Sequence, residues 1–289
     1  MEKITINART DIPYISSLQS PKIIFILNSA NEKDKAEHTI IREHLLKRHS
    51  TFQIEMPISV LNKYGVSISD LPFALIRLAF TEKVPFVNND FDYLHRSVRQ
   101  ISYEILYDTQ KIKISYNIKY LTTSAQEDEI ENVLHEIFTK SKIYSEKAKY
   151  KRIKFAYDYI ISNVTYDKSF ARYSAYDALI KKSAVCEGCA NLFYRMLSML
   201  SVPCRIITGR GMNENHAWNL VRLGNVWYNA DVTWDLYKNP VQRALTLYDY
   251  FLKNESDFRK HTRDAEFSTA DFKTKHPMSK TNYSKGSEL

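Results

Sequence analysis

At 289 residues, with 44% hydrophobic and 26% charged residues, the chain is long enough to bury one large core or two modest ones and has the composition of an ordinary soluble globular protein. A formal net charge of +8 favours acidic partners, but the lysines are spread along the chain and read as solvated surface, while three cysteines make no disulfide framework and fit a reducing compartment. Only 6 glycines and no Gly-rich phosphate loop are present, no apolar run reaches membrane-spanning length, and the start MEKITINARTDIPY lacks a signal-peptide core, so a cytoplasmic location is expected, or a secreted one if a leader is missing.

In chain order, 21–27 (PKIIFIL) reads as a buried strand, and Lys35 to His49 carries Ile40, Ile41, Leu45 and Leu46 at helical steps. Phe52 to Ile58 reads as a further strand. Asp70 before Leu71-Pro72 marks a helix start, and 84–95 (VPFVNNDFDYLH) has no clear period and reads as a connection. From Ile101 to Tyr120, apolar and polar residues alternate on both sides of Asp108-Thr109-Gln110, which predicts an antiparallel hairpin with one wet face. Ser124 with Glu127 matches a capping box, opening a helix through Ile130, Leu134 and Phe138. A second helix is predicted over about 144–162, and a short element over 246–252. No internal repeat is apparent.

The chemistry is expected between Ser183 and Asp235. Ala190, Phe193, Met196, Leu197 and Leu200 recur at steps of three and four, so Cys186 stands at the start of a buried helix, where free N–H groups and the positive dipole end favour a thiolate. Ser183, Ala184 and Gly188 are small enough to let a substrate backbone approach. Arg205–Thr208 reads as a strand closed by Gly209. His216–Leu223 and Val226–Thr233 read as two strands joined by a tight Gly224-Asn225 turn, which sets Leu223 opposite Val226 and Trp218 opposite Asp231. Side-chain alternation then puts His216 and Asp231 on one face as diagonal neighbours. A cysteine at a helix end and a histidine oriented by an aspartate form the nucleophile, base and orienter of covalent acyl transfer. Asn229, Asp235 and Asn219 compete for the orienting role. Asn219 faces away and Asp235 lies past the paired region, so Asp231 leads.

The segments AVCEGCA, NHAWNLV and WYNADVTWD resemble the three motifs of the transglutaminase-like superfamily of cysteine enzymes in its bacterial form. The likeness extends through YDYIISNVTYD and SAYDALIKKSA upstream and YDYFLKN downstream, about 143–261. It implies that Cys186 is the nucleophile, His216 the general base and acid, and Asp231 the orienter. One departure is Cys189, where an aromatic residue is usual. The resemblance implies an α+β fold with a transglutaminase/papain-like core, helices packed on an antiparallel sheet, plus an N-terminal α/β region. The expected division is 1–95 as the α/β region, 96–275 as the catalytic domain and 276–289 as a mobile polar tail. The reaction expected is thioester formation with a glutamine or peptide amide of a protein or peptide substrate, then transamidation to an amine acceptor or hydrolysis. Tyr176, as a candidate oxyanion donor, and Trp218 and Trp234, as walls against water, are expected at the substrate cleft. No acidic calcium loop stands out, so no cofactor or metal is expected, nor a specific nucleic-acid partner or membrane span.

Three other readings stay open. A cysteine peptidase or amidase would share the fold. Cys186-Glu187-Gly188-Cys189 has the C-x-x-C layout of a thiol oxidoreductase with Cys189 as redox partner, and is half of a zinc site to which Cys204 and His216 would be further ligands. A non-catalytic binding scaffold would leave the three motif residues without work.

Overall fold

The chain is described here from a computed structural model, which covers residues 2–6, 36–80, 91–236 and 248–284. The strand expected over 21–27 and most of the connection expected over 84–95 lie outside these. The chain divides into two compact units, Met1–Lys83 with Leu94–Ser124, and Val84–Tyr93 with Ala125–Leu289.

The first unit is an antiparallel sheet with helices. Strands β1 (Glu2–Ile6), β2 (Thr51–Pro57), β3 (Val98–Tyr107) and β4 (Lys111–Tyr120) run in the order β1-β3-β4-β2. Their inward residues, among them Ile54, Ile105, Ile112 and Ile114, share one core with helices α1 (Ala36–Leu46), α2 (Val60–Tyr64) and α3 (Leu71–Ala79). Asp108 turns the predicted hairpin by accepting the Gln110 and Lys111 backbone N–H groups at 2.9 and 3.0 Å. Sequence alone groups this hairpin with the domain beginning at residue 96. It belongs instead to the first unit, where β1 and β2 pair along its two edges. Phe91–Ser97 form helix α4, which takes in the end of the connection read from sequence over 84–95.

The second unit begins with α5 (Ser124–Lys140) and α6 (Lys149–Asn163), whose buried stripes include Ile130, Leu134, Phe138, Ile153 and Ile160. Glu127, expected to close a capping box, accepts the Tyr93 hydroxyl. A complete capping box is found where it was not expected, between Ser174 and Asp177 at the start of α7 (Ala175–Leu179). Short parallel strands β5 (Thr165–Tyr166) and β6 (Ser183–Ala184) lead into α8 (Cys186–Met199). This helix packs on an antiparallel sheet of β7 (Cys204–Gly211), β8 (Glu214–Leu223), β9 (Val226–Ala230) and β10 (His261–Arg263), ordered β10-β7-β8-β9.

The β8–β9 register is the expected one, from Leu223 opposite Val226 to Asn219 opposite Ala230. The strand then ends early, and Val232–Leu236 winds into a helical turn, α9. The reason is local: the Asp231 carboxylate accepts the N–H groups of Thr233 and Trp234, which favours a turn over continued pairing. The element expected over 246–252 falls partly outside the described residues, and its described part is turn and bend. Helix α10 (Ala270–Lys275) follows β10.

The tail expected from residue 276 is held down as far as 284. Pro277 and Ser279 bond to the Trp227 backbone, Tyr283 N–H reaches the Leu252 carbonyl, and His276 is buried. Main-chain bonding to the open edge of β9 outweighs the segment's polar composition. No helix among the described residues is long and apolar enough to cross a membrane.

Candidate active site

Cys186 is the first residue of α8, as its position before the helical stripe predicts. Two connections fix that helix end: Val185 N–H donates to the Arg172 carbonyl at 2.9 Å, and Asp167 N–H to the Ala184 carbonyl at 3.1 Å. Gly188 seats the first turn. A Cβ there would lie 2.7 Å from Ala184 Cβ and 3.0 Å from the Ser174 carbonyl. Its smallness thus serves the chain's own packing, where sequence reasoning assigned it to an approaching substrate. The next turn buries Cys189 completely, with no disulfide. Burial, then the neighbouring Cys186 sulfur, pushes its thiol up to about 12.

His216 lies on β8 opposite Gly209 of β7. Its Nε2–H donates to Asp231 Oδ2 at 2.7 Å, and Cys186 is near enough to the same ring to help hold it protonated. The imidazole thus has both the sulfur and the carboxylate as neighbours. Asp231 is fully buried, and four donors hold it. Oδ1 accepts the Thr233 and Trp234 N–H groups at 3.0 and 3.2 Å; Oδ2 accepts from His216 and, at 2.9 Å, from Nε2 of His261. The Tyr157 hydroxyl bonds both the Asp231 carbonyl and Asp235 Oδ2, so the turn carrying the carboxylate is anchored to α6.

The competing orienters are engaged elsewhere. Asp235 also takes the Asp249 and Tyr250 N–H groups, Asn229 takes the Trp218 indole N–H, and Asn219 spans the Ala190 and Arg205 carbonyls. The other expected cleft residues separate. Trp218 is buried and bonded to Asn229, with its ring 6.1 Å from His216 and 5.0 Å from His261. Tyr176 directs its hydroxyl to Glu129 at 2.9 Å. Trp234 does adjoin the cluster, half-buried, with its ring 5.3 Å from His216 and 4.1 Å from His261.

Sequence reasoning missed His261, which lies in FRKHTRDAEF without periodic pattern. The available signal is Gly209-x-Gly211 on the intervening strand. A Cβ on Gly209 would stand 2.0 Å from the Thr262 carbonyl oxygen, so only glycine lets β10 approach; a Cβ on Gly211 would lie 3.1 Å from the His216 ring.

His216, Asp231 and His261 also have the donor atoms of a metal site. Their N–O separations of 2.7 and 2.9 Å are those of hydrogen bonds, whereas two ligands on a tetrahedral zinc stand roughly 3.3 Å apart given its bond lengths. The zinc set considered from sequence, which draws on Cys186, Cys189, Cys204 and His216, is not assembled among the described residues.

Burial alone would push His216 down, but the charge and hydrogen bond of Asp231, with Cys186 beside the ring, outweigh it and raise the imidazole to about 10. Asp231 is the converse: burial pushes it up, and His216, then His261, holds it well below the usual carboxylate range. A raised histidine stabilises the fold fully below its ordinary value of 6.5 and loses that contribution as pH climbs towards the folded value. A depressed aspartate contributes above its ordinary value of 3.8 and loses it as pH falls. The contribution is therefore greatest between about pH 4 and 6.5. The gap in urea midpoint between the wild-type chain and His216→Gln should narrow from about pH 6.5 to pH 10. A gap that widens over that range would mean the folded chain holds His216 neutral.

A helix that starts at a cysteine thus packs on an antiparallel sheet whose histidine is bonded to an aspartate, an α+β arrangement. Residues 137–232 match the transglutaminase-like superfamily, and the second unit of the chain carries that domain. Cys186, His216 and Asp231 fall inside the match, and His261 falls outside it. Among solved structures, a TGase aligns at 13% identity and a TM-score of 0.35, covering 53% of this chain and 49% of that one. A candidate cysteine protease from Cytophaga hutchinsonii aligns at 18% identity and a TM-score of 0.35, covering 55% of this chain and 59% of that one. The chain spans about half to three fifths of the length of these structures. No curated protein matches it by sequence.

Proposed function

We propose that this chain is a transglutaminase-like cysteine enzyme in which Cys186 is the nucleophile, His216 the proton carrier and Asp231 the orienter. The observation that supports this most directly is His216 bonded to a carboxylate held by four donors, with Cys186 as the ring's neighbour at the start of α8. Cys186 Sγ attacks the carbonyl carbon of a glutamine side chain or peptide amide. The tetrahedral oxyanion faces the start of α8, where first-turn N–H groups have no partner inside the helix, and the Cys186 N–H is the donor assigned to it. The C–N bond breaks, and His216, held protonated towards alkaline pH by Asp231, delivers its proton to the departing amine. The resulting thioester passes its acyl group to a primary amine or to water, releasing Sγ in either case.

The dithiol oxidoreductase reading is weaker. Cys189 is buried with its thiol held protonated, a poor resolving partner, and that reading leaves His216 and Asp231 idle. The scaffold reading is weakened because all three reactive residues are present and in contact order.

Mass spectrometry of candidate proteins incubated with the enzyme and a small primary amine tests the reaction. Amine incorporation marks transamidation, a gain of about one mass unit marks deamidation, and backbone cleavage marks peptidase action. Cys186→Ala is expected to abolish whichever change occurs; full retention of the change in that variant would refute the assignment.

A further inference from the structure

His261 belongs to no motif, yet the fold goes to some length to bring it to the site. Strand β10 is only three residues long, and it joins the sheet with His261 opposite Gly211 and Arg263 opposite Gly209. On the other side of β7, Gly209 faces His216. Gly209 and Gly211 are two apart and so share a face of β7. The two histidines flank this glycine pair from opposite sides, with ring centroids 5.4 Å apart. Phe258 stacks on His261 at 3.7 Å and Trp234 lies at 4.1 Å, so the ring is clamped, and its side chain is 1% exposed.

Its Nε2 ends 2.9 Å from Asp231 Oδ2, the same oxygen that holds His216. A carboxylate offers about four lone-pair directions, two on each oxygen. Thr233 and Trp234 fill those of Oδ1, and the two histidines fill those of Oδ2. Since an ionised carboxylate only accepts, His261 must present Nε2–H. Without it, Oδ2 keeps one partner, and the buried carboxylate can turn about its terminal bond.

We propose that His261 is a positioning residue: its hydrogen bond to Asp231 locks the carboxylate so that the His216 ring stays aimed at Cys186. The inference rests on the catalytic reading of Cys186, His216 and Asp231, and deepens it. His261 touches neither substrate nor sulfur in this role; it acts through Asp231. A residue that merely fills space there would be replaced equally well by any ring of similar size.

The test compares His261→Phe, which keeps a ring but removes the donor, with His261→Gln, which restores an N–H. The readout is the second-order rate of Cys186 alkylation by iodoacetamide at neutral pH, with thermal midpoints recorded alongside. His261→Phe should slow alkylation about tenfold or more, and His261→Gln should recover at least half of that loss on a logarithmic scale. In an Asp231→Ala background, His261→Phe should have no further effect, because the two residues act in series. A rate for His261→Phe within about twofold of wild type, a glutamine variant as slow as the phenylalanine one, or full additivity with Asp231→Ala would overturn the proposal. Should the phenylalanine variant not fold, His261→Leu against His261→Gln reads the same contrast. His216→Ala separates the two levels of the argument. If it leaves alkylation of Cys186 at the wild-type rate, the catalytic reading itself falls; if alkylation needs His216 but is indifferent to His261, only the positioning role falls.

Discussion

Asp231→Asn should slow acyl transfer from Cys186 by about 10²- to 10⁴-fold, although it changes only an oxygen to an amide nitrogen. The four donors on Asp231 explain why so small a change does so much. Asparagine has one oxygen to offer. If that oxygen stays on the Thr233 and Trp234 N–H groups, the amide NH₂ meets the two histidine Nε2 atoms. His216 must then present a bare Nε2 and carry its proton on Nδ1, the tautomer that cannot take a proton from sulfur. If the oxygen turns to the histidines instead, NH₂ faces two backbone N–H groups and the turn after β9 loses its cap. Either arrangement also removes the negative partner of a buried histidine, a loss of about 3–5 kcal/mol when one member of such a pair is deleted. Alkylation rates and urea denaturation of the two chains measure both effects. A variant within tenfold of wild type in rate would mean that Asp231 does not set the state of His216.

How much of this was legible beforehand depends on the range of each interaction. Cys186 at a helix start follows from the apolar stripe that begins four residues later, a local pattern. The pairing of β8 with β9 follows from a two-residue turn and alternation, also local, and it held from Leu223 to Asn219. Beyond Ala230 the same reasoning failed, yet His216 still meets Asp231. Strand pairing brought the two close, and the Asp231 side chain then ended its own strand by capping the turn that follows. His261 could not be read in this way. It reaches the site from a sequence separation of 30 from Asp231, through a three-residue strand whose docking depends on the absence of a Cβ at Gly209. Tyr176 rests on the weakest kind of signal, a place ten residues before Cys186, and its hydroxyl bonds Glu129 on another helix.

The glycines of β7 point to the second large effect, Gly211→Ala. The added Cβ would fall 2.8 Å from Trp234 Cζ2 and 3.1 Å from Cδ2 and Cγ of His216. Two rings compete to yield. Trp234 is half-buried but backed by Tyr250 at 5.0 Å and His261 at 4.1 Å, so tilting it disturbs the second histidine. His216 is tethered to Asp231 at 2.7 Å, so moving it by tenths of an ångström spoils its aim at Cys186. Misplacement of a reacting group on the scale of an ångström costs on the order of a hundredfold, so a fall of about 10- to 100-fold in kcat/KM is expected. The stability cost is smaller, about 1–3 kcal/mol, as for other single overpacked methyl groups. A folded chain with a slow Cys186 is therefore the expected phenotype. Gly224→Asn at the β8–β9 turn is the matched control. Nothing lies within 4 Å of a Cβ there, and asparagine tolerates its φ of +63° better than other side chains. That variant should react at the wild-type rate. Equal rates for wild type and Gly211→Ala would show that the His216 ring has slack in its seat, and the link drawn here between the glycine pair and the reactivity of Cys186 would fail.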